Sequence, residues 1–460
     1  MKRFKIEILL LFMLFEVFFY NTKNILPYFI TILEYAFVLI SIILNKRIGI
    51  MYFISFTLLS FGGWSYINID SMPNNFWGLR FFGVSFNILF SIAILQFFLK
   101  DIKSLFKNES YDNLFFTIFI IYSSIIGLIY SSLSVNYFDN YINDLLIYSP
   151  YFIYIIFINF LDYNSLNKIF VYGVYVTIFS MILSFMFDIK YEYGSGYKFV
   201  LMNSFAFLIP FSVFFLYKEM NKQLYLLFSM IVLFLIITGN IFVSGKLIVI
   251  FFITLFWLGF KNKRIFTIVC TVMFLFIYNS EFIFSYLIEF FSDSVIISYK
   301  FSQIFDVFTK LDIDIIASTR SSMGNLVAEA KTIFYYFTEN SNIHFLFFGK
   351  GFGGGLPDTF GYFTPFAGDS GYAAHDAIRN DFVRMHLPLY EIILKTGIFG
   401  FSFYFTLLYK TFNKIKILSF IYFILLFTVF YVSKEMLLLT LLTMKLQSNK
   451  NNINFKIINN

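Results

Sequence analysis

The sequence predicts an all-α, polytopic membrane protein with about 12–13 transmembrane helices and one large extracytoplasmic loop. Hydrophobic residues make up 59% of the 460 residues and charged residues only 13%, against ~45–50% and ~25% in an average soluble domain. A soluble protein of this composition could not cover its surface with polar groups. The apolar residues also recur in runs close to the ~20 residues that cross a bilayer. These two observations exclude a soluble enzyme, a disulfide scaffold and a disordered chain.

The candidate spans follow the apolar runs along the chain. They lie at roughly 5–20, 26–44, 48–62, 81–99, 114–133, 145–161, 169–187, 199–217, 224–238, 241–260, 265–279, 387–409 and 417–433. A further apolar piece at 436–444 is too short to span alone. The first run resembles a signal peptide, but no small-residue cleavage site follows it, so we interpret it as an uncleaved first helix.

The distribution of basic residues predicts the orientation of these helices. Most Lys and Arg residues of the short loops fall in the N-terminal segment and in every second loop, for example at 45–47, 100–113 and 261–264. Cytoplasmic loops carry this excess, so the N-terminus is expected in the cytoplasm. The first eleven spans then place the long segment 280–386 outside. The net charge of +7 is explained by these loops and does not indicate binding to nucleic acid.

The expected organisation therefore has four parts. A helix bundle over 1–279 precedes the extracytoplasmic loop 280–386, and C-terminal membrane helices over 387–446 precede a polar tail, 447–460. Within the outer loop, apolar residues repeat at helical spacing at 301–311 and 323–337 and predict two amphipathic helices that lie on the membrane or cap the bundle. The glycine- and aromatic-rich stretch from Phe348 to Tyr372 is expected to be irregular.

A glycine-rich segment runs from Gly349 through Lys350 and Gly351 to Gly355. It lacks the βαβ unit of a dinucleotide site and the Lys-Ser/Thr pair of a P-loop. Two interpretations stay open. The segment is either a turn, or its backbone N–H groups cradle an anion such as a diphosphate.

Basic residues on the predicted outer side run against the orientation rule, and each is a candidate for binding substrate. Arg binds phosphate through two parallel hydrogen bonds and keeps its charge, and a cation at membrane depth faces a cavity or extends to the interface. For each one, a solvated or ion-paired role is the alternative. These residues are Arg80, Lys246, Arg320, Arg379 and Arg384.

The three histidines, His344, His375 and His386, all fall in the outer loop. Their spacing matches no common metal-ligand pattern, and the single cysteine, Cys270, cannot form a disulfide within the chain. We therefore predict no metal and no cofactor. His386 lies where the loop meets the next membrane helix, and a neutral imidazole there could accept a proton from a sugar hydroxyl. Anchoring of that helix is the alternative role.

Three intramembrane charges remain. Glu391 and Lys395 are four residues apart on one helical face and are expected to pair. Glu34 has no partner that the sequence identifies.

The segment His386–Gly400 resembles the His, apolar, Glu, apolar, Gly-x-x-Gly signature of the O-antigen ligase and Wzy-type O-antigen polymerase superfamily. Ser318-Thr319-Arg320 resembles the loop arginine of that family, and Phe348–Gly351 its Gly-x-Gly turn. Val243–Lys246 resembles its Ser-Arg helix start with Lys in place of Arg. The stretch from Gly196 through Asn203 resembles a weaker Gly…Asn…Ala motif. The resemblance covers roughly 190–405, about half of the chain.

The resemblance implies a helical fold similar to the C-type glycosyltransferases in a bacterial inner membrane. It implies a metal-independent polymerase that joins undecaprenyl-diphosphate-linked oligosaccharide repeat units at the outer face. His386 and Arg320 would then act in catalysis, and Lys246, Arg379, Arg384, Lys350, Gly349, Gly351, Asn203 and Arg80 in substrate binding. Membrane lipids, a chain-length regulator and a flippase are the implied partners.

Two other functions stay open. An O-antigen ligase would use the same donor with a lipid A-core acceptor. A lipid-linked oligosaccharide flippase or another transporter belongs to a different class, but transporters usually show repeated halves and short loops, and the sequence shows neither.

Overall fold

A computed structural model describes residues 4–19, 26–61, 79–81, 84–99, 111–132, 135–193, 197–205 except 202, 312–318, 322–339, 342–366, 374–414, 417–428 and 434–458, with a few single positions elsewhere. These residues are helical or irregular apart from two short antiparallel hairpins. The predicted spans at 224–238, 241–260 and 265–279 and the predicted helix at 301–311 lie outside the described residues apart from single positions. The predicted span at 199–217 is described only as far as residue 205, and its first two residues belong to a strand.

The helices are numbered in chain order among the described residues. The first eight are α1 (Ile6–Phe19), α2 (Leu26–Leu44), α3 (Lys46–Leu59), α4 (Phe86–Leu95), α5 (Tyr111–Ser131), α6 (Val135–Tyr148), α7 (Tyr151–Phe160) and α8 (Tyr163–Met186). The others are α9 (Ile313–Ser318), α10 (Ser322–Thr338), α11 (Ile343–Phe348), α12 (Ala374–Arg379), α13 (Pro388–Asn413), α14 (Ile417–Thr428) and α15 (Lys434–Ile458). Strands β1 (Arg80–Phe81) and β2 (Val84–Ser85) form one hairpin, and β3 (Lys190–Tyr193) and β4 (Tyr197–Val200) form the other.

Five stretches are long and apolar enough to cross a membrane: Leu26–Leu44, Tyr111–Ser131, Tyr137–Phe160, Tyr163–Met186 and Pro388–Asn413. Four of them match predicted spans, and Tyr137–Phe160, which comprises most of α6 and all of α7, begins before the predicted start at 145. The chain is a multi-pass membrane protein. The predicted spans at 5–20 and 48–62 correspond to α1 and α3, which have 14 residues each. The predicted span at 81–99 begins with the β1–β2 hairpin, and its helix α4 has ten residues.

Capping side chains define where several helices begin. The side chain of Asn45 accepts a hydrogen bond from the backbone N–H of Ile48 at 3.2 Å, and that of Asp162 accepts one from Ser165 at 3.0 Å. These bonds satisfy N–H groups that the first turn of a helix leaves without an intrahelical partner. Pro388 begins α13, where its missing N–H costs nothing.

Two groups of helices pack around apolar cores. Helices α1, α2, α3 and α8 contact one another, and α15 lies against α7, α8 and α14. Helix α13 contacts α5, α10, α11 and α14. The described part of the segment that the sequence predicts to lie outside, residues 312–386, is here called the outer segment, and it has a small core of its own between α9, α10 and the chain from 356 to 385. Its buried members are Ala317, Ala328, Ile333, Phe337, Leu356, Phe363, Tyr372, Phe382, Met385 and Leu394.

The outer segment meets the membrane helices at one end of the bundle. It contacts the last turns of α5, α6 from Tyr137 to Tyr148 and the first turns of α13. The predicted topology requires these three helix ends to lie on the same side of the membrane, and the fold places them together. Helix α10 also matches the second amphipathic stretch of the sequence.

Candidate functional site

At the centre of the candidate site, the buried carboxylate of Glu329 binds His386. Oε1 of Glu329 lies 2.6 Å from Nδ1 of His386, and the backbone N–H of His386 donates to both oxygens of Glu329 at 2.8 and 3.0 Å. The Glu329 side chain has no exposed surface, whereas that of His386 is 21% exposed. The imidazole is therefore bound to the protein through Nδ1, and part of its surface stays accessible to solvent.

Helix α10 and the loop before α13 bring these two residues together. Glu329 lies on the buried face of α10, beside Ala328 and Thr332, and this face packs on the core of the outer segment. The Tyr372 hydroxyl donates to Oε1 of Glu329 at 2.9 Å, and the Tyr372 ring lies edge-on to the imidazole with centroids 4.8 Å apart. Burial and the neighbouring carboxylate raise the pKa of Tyr372 well above its ordinary value, so this hydroxyl stays protonated and acts as a donor.

This arrangement can accept a proton. When Nδ1–H donates to Glu329, the second ring nitrogen of a neutral imidazole, Nε2, carries the lone pair. Nε2 lies 3.5 Å from the side-chain nitrogen of Asn325. A carboxylate on Nδ1 fixes the tautomer and stabilises the imidazolium that forms when Nε2 takes up a proton. The geometry fits a general base better than it fits a helix anchor alone.

A second polar group, here called the charge cluster, consists of Asp144, Arg384, Glu391 and Lys395. Asp144 accepts from Arg384 at 2.6 Å and from Lys395 at 2.8 Å. Glu391 lies 3.5 Å from Arg384 and 3.8 Å from Lys395. Asp144, Glu391 and Lys395 have no exposed surface. Two positive and two negative charges balance, which is the condition for holding charges in a low-dielectric interior.

The charge cluster also binds the backbone of the outer segment. Lys395 donates to the carbonyl of Gly354 at 2.8 Å, and the N–H groups of Gly353 and Met385 donate to Asp144 and Glu391 at 2.7 and 3.1 Å. The predicted pair of Glu391 and Lys395 is thus part of a larger group. Because Arg384 is two residues from His386, the cluster fixes the loop that carries the histidine.

The glycine-rich segment, here called the glycine loop (residues 349–355), is inserted between α5, α6 and α13. Helix α13 bends at Gly397, where φ is 64° and ψ is −161°. The bend presents two carbonyls of α13 to the loop. Leu394 accepts from the N–H of Lys350 at 2.8 Å, and Lys395 accepts from the N–H of Gly351 at 2.9 Å. In an unbroken helix these carbonyls would bond to residues 398 and 399.

Close backbone contacts explain the glycines. A Cβ on Gly351 would lie 2.3 Å from the backbone nitrogen of Gly127 in α5, and a Cβ on Gly397 would lie 2.4 Å from the carbonyl of Phe347. Both residues also have positive φ, which side chains disfavour. Glycine at these positions lets the loop approach the helices.

The N–H groups of the glycine loop already donate within the chain. Besides the two bonds to α13, Gly349 donates to Phe345 at 2.8 Å, Phe352 to Ser123 at 2.8 Å and Gly354 to Gly351 at 3.3 Å. An anion bound by Gly349 and Gly351, as the sequence predicts, would have to displace these bonds. The loop instead joins the outer segment to three membrane helices.

Lys350 also points inward. Its ammonium group donates to the carbonyl of Gly355 at 2.5 Å and lies 4.8 Å from the centre of the Tyr336 ring. Burial lowers the pKa of Lys350 to about 8. The Lys350 ammonium group is therefore bound inside the outer segment in this structure.

The other predicted residues divide into three sets. Arg379 lies in α12 near the first half of α6, where it pairs with Asp139 at 3.3 Å. Arg80 lies in the hairpin before α4, and Asn203 accepts from Thr177 of α8 at 2.9 Å, so the fold does not bring these two to His386. Lys246 and Arg320 lie outside the described residues.

Sequence reasoning missed Glu329, Tyr372, Asn325 and Asp144. No local pattern marks Glu329, because its neighbours on the buried face of α10 include the polar residues Asn325 and Thr332. Among the described residues, no group of three His, Cys, Asp or Glu side chains is placed to hold a metal ion. His344 and His375 have other partners: the His344 ring is tilted against that of Phe345, and His375 contacts Asp376 at 3.1 Å.

Comparison with known proteins finds no matching family profile, no matching curated protein and no matching solved structure.

Proposed function

We propose that this protein is a bacterial glycosyl polymerase of the cytoplasmic membrane, with a polyprenyl-diphosphate-linked oligosaccharide as substrate. The proposal joins the sequence resemblance to one observation, the Glu329–His386 pair at the point where the outer segment enters α13. A membrane enzyme that transfers sugars needs a base at the membrane surface and cations for a departing diphosphate. His386 supplies the base and Arg384 is the nearest described cation along the chain.

The reaction is a displacement at the anomeric carbon of the growing chain. The bond between that carbon and the diphosphate oxygen breaks, and the diphosphate leaves with the electron pair. The acceptor hydroxyl oxygen of a second lipid-linked unit forms the new glycosidic bond. Its proton goes to Nε2 of His386, and Glu329 stabilises the resulting imidazolium through Nδ1. The reaction needs no nucleotide, since the lipid diphosphate is already the leaving group.

Cationic side chains assist the leaving group. Negative charge develops on the diphosphate as the bond breaks, and donors fixed in advance stabilise it without rearrangement. Arg384 is fixed in advance by Asp144 and Glu391. Arg320 and Lys246 are assigned to this role by the resemblance alone.

Deletion of the gene tests the function against its alternatives. A polymerase mutant lacks long polymer but still makes single repeat units on the lipid A-core or the lipid carrier. Long chains that accumulate on the lipid carrier would instead identify a ligase. Repeat units that never reach the outer face would identify a flippase. Complementation with the wild-type gene and with His386→Gln, at matched protein levels, connects the phenotype to the site.

A further inference from the structure

A depression of about 470 Å³ lies between α6 and α12, outside the site described above. It is lined by Phe138, Asp139, Ile142, Asn143, His375 and Arg379. The residues from α6 share one helical face, because Phe138 and Ile142, and likewise Asp139 and Asn143, are four positions apart and Asp139 and Ile142 are three apart. Tyr137, Asn140 and Asp144 project from another part of α6 toward the outer segment, where Tyr137 donates to Lys350 and Asn140 to Asp381.

The lining combines an aromatic surface with paired polar groups. Phe138 is 47% exposed, and Ile142 adds a second apolar surface. Arg379 and Asp139 lie 3.3 Å apart and are 30% and 52% exposed. Asn143 and His375 add an amide and an imidazole, each able to donate and accept hydrogen bonds. The volume is within the ~300–1,000 Å³ of small-molecule sites.

The charge balance selects a neutral ligand. The carboxylate of Asp139 offsets the guanidinium of Arg379 and would repel a phosphate. A sugar ring has the complementary chemistry: its C–H face packs on an aromatic ring, and its adjacent hydroxyls pair with the edges of carboxylate, amide and guanidinium groups. We infer that this depression binds a neutral sugar ring of the oligosaccharide repeat. The inference rests on the proposed function for the identity of the oligosaccharide.

The position of the depression connects it to the reacting groups. Asn143 precedes Asp144, which holds Arg384 at 2.6 Å. His375 contacts Asp376 at 3.1 Å, and the carbonyl of Asp376 accepts from the N–H of Asp381 at 3.0 Å. A sugar bound here lies on the opposite side of α6 from the charge cluster, beside the segment that leads to His386. This site would hold the glycan while its reacting hydroxyl reaches the base.

Binding of a lipid-free glycan tests the inference directly. The probe is the set of oligosaccharide repeats released by mild acid from the host's own surface polysaccharide. Saturation-transfer NMR and calorimetry are recorded on the full chain in nanodiscs. Phe138→Ala and Asn143→Ala are each expected to weaken binding about tenfold, the effect of losing one well-placed aromatic or polar contact. Ile378→Ala is the control, because Ile378 is on α12, is 87% exposed and is not part of the lining.

Two outcomes would overturn the inference. Unchanged affinity in both variants would show that the glycan does not bind here. Displacement of the oligosaccharide by millimolar pyrophosphate, lost in Arg379→Gln, would show an anion site instead. Failure of the proposed function would give a different pattern. The oligosaccharide would still bind more weakly to Phe138→Ala than to the wild type, but deletion of the gene would leave the polymer unchanged. If His386→Gln abolishes the polymer while Phe138→Ala and Asn143→Ala both bind the oligosaccharide with unchanged affinity, the proposed function stands and the sugar site is wrong.

Discussion

Glu329 holds His386 by its side chain and its backbone at once. The two residues are 57 positions apart, yet one carboxylate lies 2.6 Å from Nδ1 and accepts from the backbone N–H of the same histidine. The backbone bond fixes where the residue sits, and the side-chain bond fixes how the ring is turned. A histidine that only anchored a helix at the headgroup level would need neither.

The first prediction follows from this pair. A general base contributes ~10²–10⁴ in rate, so His386→Gln is expected to lower polymerisation by about that factor with nearly unchanged donor binding. Glu329→Gln should lower turnover less, because the ring keeps its position while the imidazolium loses its carboxylate partner. The measurement is turnover of a purified lipid-linked donor between pH 5.5 and 8.

Matched variants complete that measurement. Tyr372→Phe removes one hydrogen bond to Glu329 and should have a much smaller effect, since a single neutral bond contributes ~0.5–1.5 kcal/mol. His344→Ala should also be mild. Near-normal turnover of His386→Gln with an unchanged pH profile would leave only an anchoring role. Asp381 would then be the next base to test.

A second prediction concerns the glycine loop. Gly351 and Gly361 have nearly the same positive φ, 71° and 72°, but a Cβ meets the backbone of Gly127 at 2.3 Å in the first case and nothing within 4 Å in the second. Gly361→Ala should therefore cost only the conformational strain of ~1–2 kcal/mol. Gly351→Ala adds a backbone clash that no side chain can relieve.

Thermal unfolding in detergent and the yield of monodisperse protein distinguish these two variants. Gly351→Ala should fold poorly or unfold many degrees lower, and Gly361→Ala only slightly lower. Equal stability of the two variants would show that the loop is not wedged between α5 and α13.

The sequence predicted the membrane class and several helices closely. The spans at 114–133, 169–187 and 387–409 match α5, α8 and α13 to within a few residues at most ends, because an apolar stretch of that length has few alternatives to a membrane helix. It also placed His386 at the start of a membrane helix. These features depend on local composition, which a single sequence contains.

Contacts between distant segments could not be predicted. The pairing of Glu329 with His386 and of Asp144 with Arg384 depends on how the outer segment folds back on α6 and α13. The glycine loop was open to two interpretations because its N–H partners, such as the carbonyl of Leu394, become available only when α13 bends at Gly397. A bend caused by tertiary packing leaves little trace in local sequence beyond the glycine itself.

A third prediction concerns orientation in the membrane. In a Cys270→Ser background, Thr359→Cys in the outer segment should react with a membrane-impermeant maleimide on intact spheroplasts. Asn164→Cys, at the start of α8 and beside the predicted cytoplasmic Lys168, should react only after the membrane is opened. Both positions are exposed. The reverse labelling pattern would place the Glu329–His386 pair in the cytoplasm and contradict the proposed function.

A fourth prediction concerns the charge cluster. Lys395→Met leaves Asp144 and Glu391 with only Arg384, and an uncompensated buried charge costs ~3–5 kcal/mol. The double variant Lys395→Met/Glu391→Gln restores the charge balance and should be more stable than Lys395→Met alone. Thermal unfolding of the single and double variants measures this coupling. Additive losses would show that the two side chains act independently.

The last prediction is a pH dependence of stability. Burial raises the pKa of Asp376 from an ordinary value of 3.8 to about 6, with Asp381 adding to the rise and His375, Arg384 and Lys395 opposing it. Between these two pH values the folded protein keeps a proton that the unfolded chain has released. This contribution to stability is therefore present below pH 4 and is lost as pH rises through 6.

Asp376→Asn keeps the shape of the side chain and removes its charge, so it should raise the melting temperature at pH 7 and leave it nearly unchanged at pH 4. Asp314→Asn is the control of opposite sign. Hydrogen bonds from Lys331 and Tyr362 lower the pKa of Asp314, so its ionised form stabilises the fold and its loss should matter more at pH 7 than at pH 4. Melting temperatures of the wild type, Asp376→Asn and Asp314→Asn, measured from pH 4 to pH 7, test this prediction. If Asp376→Asn lowered the melting temperature at pH 7, the ionised carboxylate would be a needed partner of His375, and the cost of burying its charge would be more than offset by that contact.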